Sequence, residues 1–489
     1  MSPDRPPLAF AGPSSRSGAV LALLSFVFFS RAWLIKVWGS PVPYWDEWDA
    51  QILKLIRPWL DGTFRWADLF APHNEHRIVL TRVADLALFM ASGKLDLWWQ
   101  LLLNASLHAA TAAFLGCLCW NAIPRPLRRI WLIGLAVFFV VPAGWQNALW
   151  GFQSQVFFCS LLSVLALGGL LVDQPLKLRW WLGWIAAALA LLTVGSGVLA
   201  AITALLLSLY TFCAGCFSGD KPFSARSVFP LLALFILVVL GWSLRGEVPQ
   251  HEPLRAHSLG QFSAVFFRCM SWPWVDSGWL WLVLQSPLMW LTVNALRCRT
   301  PPNSTVRFIL SLGLLATLHA AAVAYTRGAG LLEARPLSRY QDPLLLSAVA
   351  NLFILLKFAG PSRVGRIAAL LWCGTMLAGL LTLTTTNLSL HLPFKRYQNT
   401  ISLTQVRTYL ATNDATVFNQ EKSPTTLHPN VAVVRKVLDD PHLRPVLPQE
   451  FFDASIRPPW LIEYSPWLML LSSVGLLLVT TRSIRPSKI

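Results

Sequence analysis

Apolar stretches of about 20 residues recur along this 489-residue chain, with short polar intervals between them. A membrane-spanning helix needs about 20 mostly apolar residues to cross about 30 Å of hydrocarbon. No stretch shows the alternation typical of barrel strands, so the predicted spans are helices. Windows of that length predict an all-α polytopic membrane protein with about 12 transmembrane helices (roughly 11–13), at 19–38, 99–121, 130–147, 151–172, 180–193, 198–214, 227–243, 277–296, 307–325, 342–358, 367–386 and 461–480.

The composition and the placement of charges agree with this class and predict an orientation. Hydrophobic residues make up 55% of the chain and charged residues 13%. Because successive spans cross the membrane in alternating directions, the segments between them lie alternately on its two sides. The segments on the side of the N-terminus hold 18 of the 40 lysines and arginines but only 3 of the 23 acids. Short basic loops face the cytoplasm, so both termini are predicted to be cytoplasmic. Most of the net charge of +17 then lies on the cytoplasmic side, facing anionic lipid, and does not indicate a nucleic-acid surface.

The same pattern divides the chain into four parts. Residues 1–18 are rich in proline, serine and glycine and are predicted to be disordered. Residues 19–386 form the predicted transmembrane domain, which includes the first exoplasmic loop at 39–98. Residues 387–460 are more polar and predict an exoplasmic lid or small domain, and 461–489 predict the last transmembrane helix and a cytoplasmic tail.

Two pieces of the first loop have the spacing of amphipathic helices. Apolar residues recur at steps of three and four in 48–60 and in 78–90. Short helices with one apolar face are predicted to lie in the membrane interface. Farther along, Gly195–Gly197 interrupts an apolar run and predicts either two short helices or one bent helix.

The first loop also holds the strongest candidate for chemistry. Four acids and two histidines follow the first predicted span: Asp46, Glu47, Asp49, His73, Glu75 and His76. Trp45 and Trp48 flank the first acids, which predicts a water-accessible acidic site at the bilayer surface. The alternative is a solvated loop whose tryptophans lie at the headgroup level. The oxygen and nitrogen atoms of these side chains are also suitable ligands for a divalent metal ion, although no metal is expected to be required for activity.

A second candidate is a short loop with three arginines on the predicted exoplasmic side. These are Arg327, Arg335 and Arg339, with Glu333 and Asp342 as the acids of the same loop. Basic residues on that side oppose the positive-inside pattern. They predict either an anion site, because guanidinium groups bind phosphate oxygens bidentately, or ion pairs with the loop's own acids.

Two glutamines form a weaker candidate. Gln153 and Gln155 lie where the predicted span at 151–172 begins. Polar groups within spans usually form hydrogen bonds between helices. If these side chains face a cavity instead, they are candidates for contact with a sugar.

The arrangement resembles the C-type (GT-C) membrane glycosyltransferases, among them the protein O-mannosyltransferases and the lipid A aminoarabinose transferases. Three short elements carry the likeness: the acid pair Asp46-Glu47 after the first span, the segment 72–76 (Pro-His-Asn-Glu-His), and the element 338–340 (Ser-Arg-Tyr). The C-terminal segment is shorter than the soluble domains of oligosaccharyltransferases, and no WWD-like motif is present. These departures favour a bacterial enzyme that acts on glycolipid or cell-envelope glycan.

The resemblance implies a glycosyltransferase that moves a sugar from a polyprenyl-phosphate donor to a glycan or glycolipid acceptor, such as lipopolysaccharide. It implies a multi-pass protein of the bacterial inner membrane with a periplasmic active site. Asp46 is the predicted general base, and Glu47 orients it or binds the acceptor. The predicted supporting residues are Asp49, Glu75, His73 and His76 on the acceptor side, and Arg339, Arg335, Arg327 and Tyr340 at the donor phosphate.

Two other functional classes remain open at this point. A lipid-linked sugar flippase or other transporter predicts internal symmetry and helices broken near mid-bilayer, and only Gly195–Gly197 hints at this. An O-antigen polymerase or ligase predicts chemistry on exoplasmic arginine and histidine and leaves Asp46 unexplained.

Overall fold

The computed structural model describes residues 13–172, 174–217, 224–298, 300–332, 336–360, 362–418 and 427–482. These residues form helices joined by loops, with no β-strand among them, which confirms the all-α prediction for this part of the chain. The longer helices are Pro13–Trp38, Val79–Ser92, Leu97–Cys119, Arg128–Val140, Ser154–Val172, Leu178–Ala190, Val198–Phe217, Ala225–Ser243, Leu259–Met270, Ser286–Arg297, Ser304–Arg327, Leu345–Phe358, Arg363–Thr386, Leu392–Thr412 and Ser465–Arg482. The first begins inside the segment 1–18 for which disorder is predicted, and residues 1–12 lie outside the described ones.

Shorter helical segments connect the long helices. Two are π-helical: Glu47–Ile56 and Asn387–His391. Five are short α-helices: Arg57–Leu60, Trp145–Ala148, Trp281–Leu284, Val431–Asp439 and Trp460–Glu463. The remaining ones are 3₁₀ turns: Trp66–Phe70, Arg125–Leu127, Gly151–Gln153, Gly195–Gly197, Pro249–Leu254, Gly278–Leu280, Ser338–Tyr340, Asp342–Leu344, Ala415–Phe418, Arg444–Val446 and Gln449–Phe451.

Seven of the described helical segments are long and apolar enough to cross a membrane: Arg16–Trp38, Leu97–Cys119, Gly151–Val172, Gly195–Cys216, Ser304–Arg327, Ser338–Phe358 and Arg363–Thr412. An eighth is present if Gly278–Leu284 and Ser286–Arg297, which are bent by 57° relative to each other, count as one span. Shorter helices occupy four other predicted spans: Arg128–Val140, Leu178–Ala190, Val228–Ser243 and Ser465–Thr480. The chain is a helical membrane protein.

The interruption at Gly195–Gly197 is a 3₁₀ turn between two separate helices, so the first of the two predicted alternatives holds. Glycine also sets a close approach nearby, where the helices Ser154–Val172 and Leu178–Ala190 pack against each other. A Cβ on Gly169 would lie 2.7 Å from the Cα of Gly183. Small residues allow helix backbones in membranes to approach this closely.

One charged residue inside the first helix is held by the protein interior. Arg31 is buried, and its Nη2 donates to the carbonyl oxygens of Phe139 at 2.7 Å and Val141 at 3.2 Å. It also lies 2.9 Å from Nε2 of His108. Phe139 and Val141 are at the end of the helix Arg128–Val140, where carbonyl oxygens have no donor within the helix. Arg31 therefore joins two helices rather than facing lipid.

The last part of the chain reaches the first loop through a long continuous helix. Arg363–Thr412 is 50 residues long, about 75 Å at 1.5 Å per residue. That is more than twice the hydrocarbon thickness of about 30 Å, so a large part of this helix extends beyond a bilayer. Asn399, on the extended part, donates to the carbonyl oxygen of Trp38 at the end of the first helix, at 3.0 Å.

The first loop (39–96) and the described parts of the C-terminal segment (392–418 and 427–459) pack together at this end of the bundle, and we call them the cap. Their buried apolar side chains form one cluster: Val42, Trp48, Ile52, Leu55, Ile56, Leu69, Val79, Leu86, Phe89 and Leu95 with Val406, Tyr409, Leu427, Val434, Val437, Leu438, Leu443, Leu447 and Phe451. Arg57 forms an ion pair with Asp440 across the two segments. Both amphipathic pieces of the first loop are helical as predicted, and the apolar face of Glu47–Ile56 is covered by protein.

Candidate active site

Residues 44–49, which we call the acidic turn, lie at the start of the π-helix Glu47–Ile56 and include its first three residues. Trp45 has a φ of 49°, in the left-handed region. This conformation is uncommon for a bulky residue and costs about 1–3 kcal/mol. The backbone N–H of Trp45 donates to the carbonyl oxygen of Leu427 at 2.9 Å, and that of Glu47 donates to Tyr44 at 3.2 Å. Contacts with the C-terminal segment therefore help to hold the acidic turn in a strained shape.

Glu47 is the buried carboxylate of the pair. Its Oε2 accepts the backbone N–H of Tyr44 at 2.7 Å, and its Oε1 accepts that of Phe152 at 3.0 Å. A Cβ on Gly151 would lie 2.4 Å from Oε1 of Gln100 and 3.0 Å from Oε1 of Glu47, so glycine leaves room for both side chains. Burial raises the pKa of Glu47 to about 7, although both backbone hydrogen bonds lower it. Glu47 thus ties the acidic turn to the turn that precedes the helix Ser154–Val172.

The raised pKa of Glu47 predicts how the stability of the protein depends on pH. A carboxyl that titrates near 4.5 in the unfolded chain and near 7 in the folded one binds more protons when folded. The stability of the wild type therefore falls as the pH rises through that window, by about 3 kcal/mol from this group. Glu47→Gln removes the contribution, so the wild-type unfolding temperature should fall relative to that of the variant between pH 5 and pH 8. Comparing the two proteins cancels the other titrating groups; parallel pH profiles would contradict the prediction.

Asp46 is the accessible carboxylate of the pair. Its side chain is 31% exposed, and its Oδ2 lies 3.7 Å from Nε2 of His73. The ring of His73 packs edge-on against Phe152, with centroids 5.0 Å apart. The sequence predicts a desolvated Asp46 because of its aromatic neighbours, but the burial falls mainly on Glu47. Asp46 instead faces an open side of the site beside a histidine.

His76 belongs to a second turn, residues 73–76, in which the backbones of His73 and His76 are paired. Its Nδ1 accepts the backbone N–H of Gly195 at 2.9 Å. Burial lowers the pKa of His76 to about 4, so the ring is neutral at pH 7. The 3₁₀ turn at Gly195–Gly197 thus helps to fix the position of His73 next to Asp46.

Glu75 forms an ionic cluster on the same turn. Its Oε1 lies 2.5 Å from Nδ1 of His251 and 3.5 Å from Nη2 of Arg327. Burial raises the pKa of Glu75, but the hydrogen bond with His251 and the nearby histidines outweigh this and lower it to about 2. Arg327 therefore pairs with an acid of the first loop, whereas the sequence offered only pairing within its own loop or an anion site.

The backbone of Arg339 is held by hydrogen bonds, and its side chain lies over the ring of Tyr340. Its N–H donates to Oε1 of Gln146 at 3.3 Å, and its carbonyl oxygen accepts from Asn147 at 3.0 Å. The guanidinium lies 5.2 Å from the centroid of the Tyr340 ring, and its buried Nε has no hydrogen-bond partner among the described residues. Burial raises the pKa of Tyr44, Arg339 partly offsets this, and Asp46 adds to it. Arg339 and Asp46 thus both lie within electrostatic range of Tyr44.

Two residues of the site were missed by the sequence analysis. The ammonium of Lys395 lies 4.0 Å from the centroid of the Tyr44 ring. Asp85 is buried close enough to Glu47 for their charges to interact; burial first, and then Glu47, raises the pKa of Asp85 well above its usual value. Asp85 is an acid on the apolar face of the predicted helix 78–90, and this pattern in the sequence could have identified it. No local pattern marks Lys395, which a distant helix brings to the site.

The other predicted site residues lie as follows. Asp49 forms an ion pair with Lys54 at 2.8 Å. Gln153 and Gln155 are buried at the start of their helix, and Oε1 of Gln155 has no partner in the described part of the chain. Arg335 lies outside the described residues. No three His, Cys, Asp or Glu side chains in the described ranges form a group that could hold a metal ion.

The geometry offers an accessible carboxylate beside a histidine, a buried carboxylate that holds the turn, a lysine on the ring of Tyr44 and an arginine over the ring of Tyr340. No protein-family model, curated protein or solved structure matches this chain.

Proposed function

We propose that this protein is a GT-C-like glycosyltransferase that moves a sugar from a polyprenyl-phosphate donor to a cell-envelope glycan or glycolipid on the periplasmic face of the bacterial inner membrane. One observation carries the proposal: the partly exposed carboxylate of Asp46 lies beside His73, on a turn where the ammonium of Lys395 rests on the ring of Tyr44. A carboxylate and a cation on one turn supply the base and the positive charge that this reaction needs.

Asp46 is the general base of the proposed reaction. The acceptor hydroxyl attacks the anomeric carbon while its proton passes to the Asp46 carboxylate, and the bond from that carbon to the phosphate oxygen breaks. Asp46 suits this role better than Glu47 because it is partly exposed, whereas both Glu47 oxygens accept backbone N–H groups. His73, 3.7 Å from Asp46, orients the carboxylate.

Arg339 binds the phosphate that leaves with the polyprenyl chain. Its guanidinium lies over the ring of Tyr340, and its buried Nε has no hydrogen-bond partner in the part of the chain that the structure describes. A guanidinium binds phosphate bidentately and stabilises the charge that develops on the leaving group. Arg327 is the weaker candidate because Glu75 already contacts it.

The proposal includes about twelve spans and a fixed orientation, with both termini cytoplasmic and the cap periplasmic. Alkaline phosphatase fused after Asn413 is expected to be active in bacteria, because the enzyme folds only outside the cytoplasm. The same fusion at the C-terminus should be inactive. The opposite pair of results would show that the orientation is the reverse of the proposed one. Asp46 would then lie on the cytoplasmic face, away from the proposed donor.

A transfer assay tests the function itself. The purified chain in liposomes is expected to move radiolabelled sugar from a panel of polyprenyl-phosphate sugars to a glycolipid acceptor extract. Transfer should persist in EDTA, because the cations around Tyr44 can neutralise one phosphate. Activity lost in EDTA and restored by magnesium or manganese would show that a metal is required.

The same liposomes separate the rival transporter function. A flippase would carry the labelled lipid across the bilayer without forming a glycosidic product. Translocation with no transfer to any acceptor would favour the transporter. The site argues for the enzyme, since a flippase has no need of a carboxylate placed beside a histidine and a guanidinium.

A further inference from the structure

A small cleft lies beside the acidic turn, between residues 42–44 and one face of the helix Leu392–Thr412. Its lining residues are Val42, Pro43, Tyr44, Lys395, Gln398, Asn399 and Ser402. The four helix residues are three or four positions apart, so they share one face. The cavity volume is about 30 Å³, which is room for about two water molecules. The cleft therefore admits a small polar group rather than a whole sugar ring.

Lys395 gives this cleft its charge. Its ammonium rests on the Tyr44 ring at 4.0 Å, a contact that leaves its hydrogens able to bind an acceptor. Among the described residues, no acceptor forms a hydrogen bond with it, and no acid lines the cleft. Glu47 is the acid that attracts it, but Glu47 is buried and its oxygens accept backbone N–H groups. The cleft thus has a cation without a direct counter-ion.

Ser402 can donate a hydrogen bond as well, because its buried side chain contributes a hydroxyl to the lining of the cleft. Asn399 uses its amide to bind the carbonyl oxygen of Trp38, which fixes the helix against the first helix. A cation with a hydroxyl donor in a space of this size matches a carboxylate or a phosphate group.

We propose that this cleft binds a carboxylate or phosphate group carried by a saccharide, with Lys395 as its counter-ion. The assignment of the saccharide as a substrate rests on the proposed glycosyltransferase function. The anionic group has two possible sources: the phosphate of the sugar donor, or an acidic sugar in the acceptor. The adjacent acidic turn would then lie beside the bound saccharide, because Tyr44 contributes both to the cleft and to the backbone that holds Glu47.

Binding of simple sugars to the full-length protein tests this without any transfer reaction. The purified chain in neutral phosphatidylcholine nanodiscs is titrated with glucose 1-phosphate, glucuronate and glucose, and binding is followed by ligand-observed NMR. We expect saturable binding of at least one anionic sugar and none of glucose. Lys395→Met should raise the Kd about 10-fold or more, since it removes a charge-assisted hydrogen bond, and Lys395→Arg should largely preserve binding.

Arg396→Met is the matched control, because it removes the same charge from the next residue of the helix, whose side chain is exposed and outside the cleft. Ser402→Ala should raise the Kd about 3-fold and provides a conservative second variant if Lys395→Met fails to fold. Binding of glucose 1-phosphate alone assigns the cleft to the donor phosphate, and equal binding of glucuronate assigns it to an acidic sugar. No saturable binding of either, or binding that Ser402→Ala and the folded Lys395 variants leave unchanged, overturns the proposal. None of these binding results decides whether the proposed transfer reaction occurs, which the transfer assay tests separately.

Discussion

Asp46→Asn is expected to lower the turnover of sugar transfer by about 10²-fold or more while leaving insertion, folding and donor binding intact. Asparagine keeps the shape of the side chain but cannot accept the proton of the acceptor hydroxyl. Since Asp46 is partly exposed and no described residue forms a buried hydrogen bond with its side chain, its loss should change the unfolding temperature little. The measurement is single-turnover transfer with saturating donor, together with a thermal unfolding curve of the same preparation.

Asp49→Asn is the matched control for this prediction. It makes the same carboxylate-to-amide change three residues away, but Asp49 is paired with Lys54 rather than lying beside His73. Turnover of Asp49→Asn should stay within a few-fold of wild type. Near-wild-type transfer by Asp46→Asn would remove the base from the proposed mechanism, and a large loss in both variants would point to a general effect of charge in the turn.

The pH profile adds a second test of the same residue. If His73 orients Asp46, then His73→Gln should change the dependence of turnover on pH as well as its rate. A merely structural histidine would lower the rate without moving the profile.

Local patterns in the sequence predicted much of the fold. Apolar runs of span length located the long helices, and the three- and four-residue spacing in 48–60 and 78–90 located the two helices of the first loop. These features depend on residues close together in the chain, so a single sequence contains them. Asp46 and Glu47 could be singled out for the same reason: two acids between tryptophans after a span form a local signal.

The division of roles within the acid pair could not be predicted in this way. Glu47 is buried because Phe152, about 100 residues away, offers it a backbone N–H, and because Gly151 leaves room for that approach. Arg327 pairs with Glu75 through a contact between distant loops. Lys395 reaches Tyr44 only because a 50-residue helix extends beyond the membrane region. Such long-range contacts leave no periodic trace, so only the folded chain reveals them.

Arg339→Ala is expected to raise the donor KM by about 10- to 100-fold, the effect of losing one charge-assisted contact worth about 1.5–3 kcal/mol. The protein should still fold, because Arg339 is held by its backbone bonds with Gln146 and Asn147, which alanine keeps. Arg327→Ala is the informative comparison. Its guanidinium already contacts Glu75, so its loss should lower the unfolding temperature more than it changes the donor KM.

These opposite effects distinguish a phosphate-binding arginine from a structural one within the same loop. The measurement is initial transfer rate against donor concentration for both variants, with thermal unfolding of each. Arg339→Lys should recover part of the donor affinity, because lysine keeps the charge but loses the bidentate geometry. The contrary result is normal donor saturation in a folded Arg339→Ala protein together with weakened saturation in Arg327→Ala. It would assign the phosphate-binding site to the ionic cluster around Glu75 instead of to Arg339.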